Sequence, residues 1–156
     1  MIKFIEGNIL LASQTYIAQG VAQGNQEGLG TGLAYKISER WPDVQKQFKQ
    51  YARSGKFRGG TIWVCAPGAD YPGFVYLATQ PDMYHATVPY LRKSVKRMVA
   101  WANKNNIDSV ALPKIAAGLG KLSWVDHVKP LLNQYLEESD CSFVIYESYT
   151  HELSGQ

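Results

Sequence analysis

At the start of the chain, IKFIEG alternates apolar with polar positions and ends on a glycine, which predicts a strand over Ile2–Ile5. TYIAQGV reads as a short second strand. The period then changes. From about Gly32 to Trp41 the apolar residues Leu33, Ala34, Ile37 and Trp41 recur at helical spacing. Pro42 opens a second helical stretch with Val44, Phe48 and Tyr51 on one face, and Gly55 is a natural stop. GGTIWVCAPG and GFVYLATQ, joined by GADYPG, read as a hairpin or a pair of neighbouring strands.

The clearest helix runs through ATVPYLRKSVKRMVAWANKNN. Val88, Leu91, Val95, Met98, Val99 and Ala102 form its apolar stripe. Arg92, Lys93, Lys96, Arg97 and Lys104 occupy its other faces and read as a solvated surface rather than a nucleic-acid surface. DSVALPKI is a buried-looking strand. SWVDHVKPLLNQYLEE is a last helix, with Ser123 and Asp126 resembling a capping box. Pro130 is awkward inside it and predicts a kink or a late helix start. CSFVIYES is the final strand. Consecutive strands in the middle and alternating strands and helices afterwards predict an α/β fold, an α/β/α sandwich around a mixed sheet. Ligands of such sheets bind in the crevice at the carboxyl ends of the strands.

Composition narrows the class without deciding function. The 156 residues fit one domain, taken as 1–156, with 46% hydrophobic and 19% charged residues. No apolar run reaches the roughly 18 residues that span a bilayer. MIKFIEGNILLAS is too interrupted for a signal peptide. Cys65 and Cys141 have no CxxC spacing and read as reduced core thiols, so a cytoplasmic location is expected. A net charge of +3 favours anionic ligands only mildly. His85, His127 and His151 lack ligand spacing, so neither a metal nor a cofactor is expected, and the protein is read as a monomer.

Two glycine-bearing loops stand out: EGLGTGLA, Glu27 to Ala34, and PKIAAGLGKLSW, Pro113 to Trp124. Each follows a strand and precedes a helix. Glycines let the backbone approach a ligand, and successive N–H groups beside a helix start form an anion nest. Two such loops on one strand edge suit a diphosphate better than a single phosphate. Known phosphate motifs fail on spacing. Gly120 and Lys121 are followed by Leu122, so the Walker hydroxyl is missing. Gly28-Leu29-Gly30 is followed by Leu33 where a dinucleotide fingerprint needs its third glycine.

EGNIL, IAQGV, GLGTGLAYKISERWP, VYLATQ, ALPKIAAGLGKLSW and FVIYE together resemble the macrodomain family over roughly Ile2 to Glu147. The branch resembled contains ADP-ribosyl-glutamate glycohydrolases, glycohydrolases acting on ADP-ribosylated DNA, and ADP-ribose-1″-phosphate phosphatases. The resemblance implies a six-stranded mixed sheet with ADP-ribose, or an ADP-ribosylated substrate, bound on top. It implies that Asn8, standing where the family usually has Asp, meets the adenine amine, and that Ile9 offers its N–H to the purine. Gly20, Gln26, Gly28, Leu29, Gly30, Thr31, Gly32 and Leu33 would hold the diphosphate and distal ribose. Ile115, Ala116, Ala117, Gly118, Leu119 and Gly120 would cover them from the other side. Thr79 and Gln80 would lie near the pocket, and Tyr146 and Glu147 by the adenine.

The implied chemistry departs from the family. Gln80 stands where the glycohydrolases place a lysine, Gly120 where they place an aspartate, and Gln19 where the phosphatases use a histidine. Gln19 and Glu27 remain as catalytic candidates, Glu27 as a base for water, with His85 and Tyr84 at the cleft rim. Both hydrolysis of an ADP-ribosyl bond or a 1″-phosphate and binding without turnover stay open, and nucleic acid enters only as ADP-ribosylated DNA.

Overall fold

The computed structural model describes residues 1–24, 32–118 and 120–148. Six strands form one sheet: β1 (Ile2–Glu6), β2 (Tyr16–Ala22), β3 (Ile62–Cys65), β4 (Gly73–Gln80), β5 (Ser109–Leu112) and β6 (Ser142–Ser148). Their spatial order is β1-β6-β5-β2-β4-β3. All neighbours are parallel except β3, which pairs antiparallel with β4 as the hairpin expected from their proximity. The parallel strands β2, β4, β5 and β6 therefore end at one edge.

Helices cover both faces, as the alternating elements predict. On one side lie α1 (Gly32–Arg40) and α2 (Pro42–Arg53), over Ile17, Val21, Phe74, Tyr76 and Ala111. On the other lie α3 (Val88–Lys104) and α4 (Lys129–Leu136), over Ala18, Val75, Leu77, Val110, Leu112 and Phe143. Strand β4 is buried along its whole length, which is why GFVYLATQ reads as continuous rather than alternating.

Two predicted helix boundaries come out with a physical reason. Trp41 is non-helical (φ −135°, ψ 72°) because the following proline disfavours the α region, so the first and second helices part there. Its ring packs edge-on against Phe74 with centroids 5.3 Å apart. At Pro130 the chain starts late: a π-helical turn, Trp124–Val128, precedes α4. Ser123 Oγ caps it by accepting from Asp126 N at 3.0 Å.

A buried polar relay ties α1 to the sheet. Tyr76 Oη donates to Gln45 Oε1 at 2.6 Å, and Gln45 Nε2 donates to the Ala34 carbonyl at 2.9 Å. Burial pushes the Tyr76 hydroxyl far up, which keeps it a donor. The relay sets the position of the first turn of α1, the turn that follows the first glycine loop.

Both cysteines are unpaired and buried. Burial pushes the Cys141 thiol up to about 11. A folded pKa above the ordinary value means the fold favours the protonated form. That contribution to stability is complete below about pH 9 and is lost as pH rises toward 11. Thermal unfolding of the parent protein and Cys141→Ala, followed from pH 8 to 11, should show Tm falling more steeply in the parent above pH 9. Parallel curves would contradict the shift.

Candidate functional site

At the carboxyl edge of the sheet lie two chambers that meet at Leu33 and Pro113. The first, about 230 Å³, is bounded by the end of β2, the start of α1 and the 113–120 loop. Gln19, Gly20, Gly32, Gln80, Gly118 and Gly120 are among its lining residues. The second, about 190 Å³, is more apolar and is walled by Gly7, Ile9, Lys36, Tyr146 and Ser148. A polar, glycine-lined chamber opening into an apolar one fits an elongated ligand with an anionic middle and a flat end.

Strand order explains how distant residues meet here. Gly20 near the end of β2 lies beside Leu77 of β4 in the parallel register. A side chain at Gly20 would come within 2.7 Å of Thr79 Oγ1 and 2.9 Å of Ile115 Cγ1. Lacking one, Gly20 lets Ile115 sit down on the sheet, and with it the second loop. That loop turns through Ala116, a non-glycine residue at φ 65°, and Lys121, also at φ 65°. It is held by Leu122 N donating to the Ala116 carbonyl and Lys121 N donating to the Gly118 carbonyl, both at 3.1 Å. Left-handed backbone at such residues is uncommon and marks a loop whose shape its surroundings impose.

Each of the three departures from the family pattern has a structural counterpart. Gln80 is buried, and its Nε2 donates to the Asp82 and Met83 carbonyls, each at 2.8 Å. It anchors the rim loop after β4 rather than presenting a reactive group. Gly120 has no room for a side chain: a Cβ would lie 2.7 Å from the Ala116 carbonyl, 2.8 Å from Ala86 Cβ and 3.0 Å from Gln80 Oε1. Its carbonyl accepts from Ala86 N at 2.9 Å, joining the rim loop to the second glycine loop.

Gln19 is the third. It is 4% exposed and lines the first chamber. Its amide lies close enough to the Tyr76 hydroxyl to favour that group's ionised form, but outside hydrogen-bonding geometry, while the hydroxyl itself donates to Gln45. Gln19 Nε2 is left with no acceptor in hydrogen-bonding geometry among the described residues. An unmet buried donor is destabilising by about 1–3 kcal/mol.

The other expected residues divide. Ile9, Gly20, Gly32, Leu33, Gln80, Ile115, Ala116, Gly118, Gly120 and Tyr146 all line one chamber or the other. Thr79 is fully buried beneath Gly20, and neither Thr79 nor Ala117 lines a chamber. Asn8 is turned inward: its Oδ1 accepts from Leu10 N at 3.0 Å and caps the 3₁₀ turn Ile9–Leu11. Alternation along β6 sends Tyr146 and Glu147 to opposite faces. Tyr146 packs over Gly7 and donates to Gln14 Oε1 at 2.8 Å. Glu147 Oε2 instead accepts from Lys129 Nζ at 2.9 Å and Trp124 Nε1 at 3.0 Å, and these bonds hold its carboxyl below the usual range. Its side chain belongs to the α4 side, away from the second chamber. Gln26, Glu27, Gly28, Leu29, Gly30, Thr31 and Leu119 lie outside the described residues.

Sequence reasoning missed Met83 and Lys36, and gave Pro113 and Lys114, inside the second glycine loop, no individual role; all four line the chambers. Lys36 had a signal, standing one helical turn after Gly32 on a helix that follows a phosphate loop. At the rim, His85 Nδ1 lies 2.9 Å from Asp82 Oδ1, and Lys121 Nζ lies 5.8 Å from the Tyr84 ring centre. His85 and Tyr84 are exposed and line neither chamber.

The chain is similar to proteins of named activity. It is 24% identical over 147 residues to the ADP-ribose glycohydrolase OARD1 of Homo sapiens, spanning 93% of this chain and 90% of that one. It is 27% identical over 141 residues to a DNA ADP-ribosyl glycohydrolase of Thermus aquaticus, covering 88% of this chain but only 38% of that protein. Among solved structures, the macrodomain of Thermus aquaticus DarG superposes with a TM-score of 0.83 at 25% identity, covering 94% and 98% of the two chains. Thermosipho africanus DarTG, solved in complex with ADP-ribose, gives a TM-score of 0.82 at 21% identity, covering 97% of this chain and 42% of that one. The Macro domain family model matches residues 22–130, and with the sheet order and the two-chambered edge already described, this chain belongs to the Macro domain family.

Proposed function

We propose that the cleft binds the ADP-ribosyl group, with the adenine end in the apolar chamber against Tyr146 and the diphosphate and distal ribose in the glycine chamber. The observation that carries this reading is the Gln19 amide, a buried donor at the wall of the glycine chamber with no acceptor among the described residues. A ribose hydroxyl or phosphate oxygen supplies the missing acceptor. Gly32 and Gly118 give the ligand access to main chain. Unpaired thiols accord with the cytoplasm as its place of action.

A second reading, hydrolysis of the bond between the ribose anomeric carbon and the modified group, is favoured by the names of the relatives. Against it, no carboxylate or histidine is among the described residues lining the glycine chamber. Turnover would then rest on a water held by main-chain and amide groups, with Glu27 as the carboxylate that opens the first loop.

Titration calorimetry with ADP-ribose should give micromolar affinity, about −8 kcal/mol. A Cβ at Gly118 meets no neighbouring atom within 4 Å, so a side chain there enters open space. Gly118→Phe should therefore abolish binding while leaving Tm within about 2 °C; unchanged affinity would place the phosphates elsewhere.

Gln19→Leu removes the unmet donor. It should weaken ADP-ribose binding about tenfold while leaving the free protein as stable as the parent or more so. Equal affinity would show that the ligand does not use this amide.

Incubation with ADP-ribosylated protein and ADP-ribosylated DNA, followed by chromatography for released ADP-ribose, separates the two readings. Release that survives Glu27→Ala at full rate would remove Glu27 as the base.

A further inference from the structure

Helix α3 carries Arg92, Lys93, Lys96, Arg97 and Lys104 and no acidic residue. These five cations exceed the net charge of +3 for the whole chain, so the remainder is net negative, 3 − 5 = −2. The charge is thus concentrated on one element. Arg92, Lys93, Lys96 and Arg97 are all exposed, and none forms an ion pair among the described residues. With Pro89 and Ala100 they line a groove of about 390 Å³ along the helix. Four like charges on adjacent turns repel one another, and a helix face serving only solubility would interleave acids with them.

The same helix also packs on a glycine turn. Gly60, at φ 83°, lies beneath the Lys93 stem, and a Cβ there would come within 2.5 Å of Lys93 Cδ. The Tyr90 ring lies in the same way over Gly59. This turn brings two more exposed cations, Lys56 and Arg58, into the same neighbourhood in sequence. It is bonded to the site: Gly59 N donates to Gln23 Oε1 at 2.8 Å and Gly24 N to the Phe57 carbonyl at 3.0 Å, just before the first glycine loop. At the start of α3, Thr87 N donates to the Thr79 carbonyl and Ala86 N to the Gly120 carbonyl in the glycine chamber. Arg92 stands four residues into α3, about 6 Å along its axis. The helix that carries the cationic groove therefore starts at the rim of the cleft.

We propose that this face of α3 binds the phosphodiester backbone of a nucleic acid, so that the group entering the cleft is carried on a nucleic-acid strand held along the helix. The inference rests on the ADP-ribosyl reading of the cleft for its purpose, but not for its test. Contacts from exposed lysine and arginine to phosphates supply affinity without reading sequence. The groove is lined by aliphatic stems and charged heads, and among the described residues it presents no carboxylate to read bases.

The test is fluorescence anisotropy with a fluorescein-labelled single-stranded DNA 12-mer, an RNA counterpart and poly-glutamate, from 50 to 200 mM KCl. Four phosphate contacts predict a slope of log K against log salt of about −3 for single strands. The double variant Lys96→Glu/Arg97→Glu, both positions exposed, should weaken oligonucleotide binding at least tenfold and make the slope shallower by about 1.4. Its ADP-ribose affinity by calorimetry should stay within twofold of the parent. Absence of oligonucleotide binding at 50 mM KCl, equal binding by the variant, or equally tight binding of poly-glutamate would overturn the proposal. Oligonucleotide binding that responds to the variant in a protein that does not bind ADP-ribose would retain the α3 surface and reject the cleft reading alone.

Discussion

The site depends on one close approach. Gly20 in β2 has Thr79 Oγ1 and Ile115 Cγ1 where a Cβ would be, at 2.7 and 2.9 Å. Because Gly20 carries no side chain, the loop after β5 lies directly on the ends of β2 and β4. Its backbone then turns through left-handed conformations at Ala116 and Lys121 and presents Gly118 to open space. Packing at protein-interior density leaves no other place for Ile115, which is 2% exposed. The glycine chamber is the space left above this contact, and the bond from Ala86 N to the Gly120 carbonyl extends the same constraint to the rim.

Neutral amides stand where charged or titrating groups would be expected, and the two amides do different work. Gln80 spends both N–H donors on the carbonyls of Asp82 and Met83 and so shapes a loop. Gln19 spends neither on an acceptor among the described residues. The second arrangement is the more informative, because an unpaired buried donor is destabilising unless something arrives to accept from it. A site that stores its unmet donor at the wall of a cleft is organised for a ligand rich in oxygen. The arrangement serves binding whether or not the bound group is then cleaved.

The helices divide the remaining labour. On one face, α1 and α2 enclose an aromatic core of Phe48, Phe57, Trp63, Phe74 and Tyr76, through which the Tyr76–Gln45–Ala34 relay fixes the helix start beside the cleft. On the other, α3 buries Leu91, Val95, Met98 and Ala102 and turns outward a face with five cations and no acid. The two faces of the sheet thus support the same edge in different ways, one by holding a backbone in place and the other by placing charge beside it.

Most of the fold is legible in the residue pattern, since strand and helix periods are local properties. The alternation in IKFIEG, the stripe of Val88 to Ala102, the pre-proline break at Trp41 and the late start forced by Pro130 all read directly from chemistry within a few residues. The two glycine loops were legible for the same reason, and most of their described residues line the chambers. Asn8 and Glu147 were not, because a side chain's direction depends on which backbone or ion lies nearest in space. Asn8 turned to cap Leu10, and Glu147 was taken by Lys129 and Trp124 across the sheet. Nor does anything in the sequence place Met83 at the cleft, or leave Gln19 without an acceptor among the described residues. Those facts depend on β2, β4 and β5 ending side by side, a non-local arrangement fixed by packing over the whole sheet. The sequence by itself determined the elements and the loops; the tertiary structure decided which polar groups were already satisfied and which were left to meet a ligand.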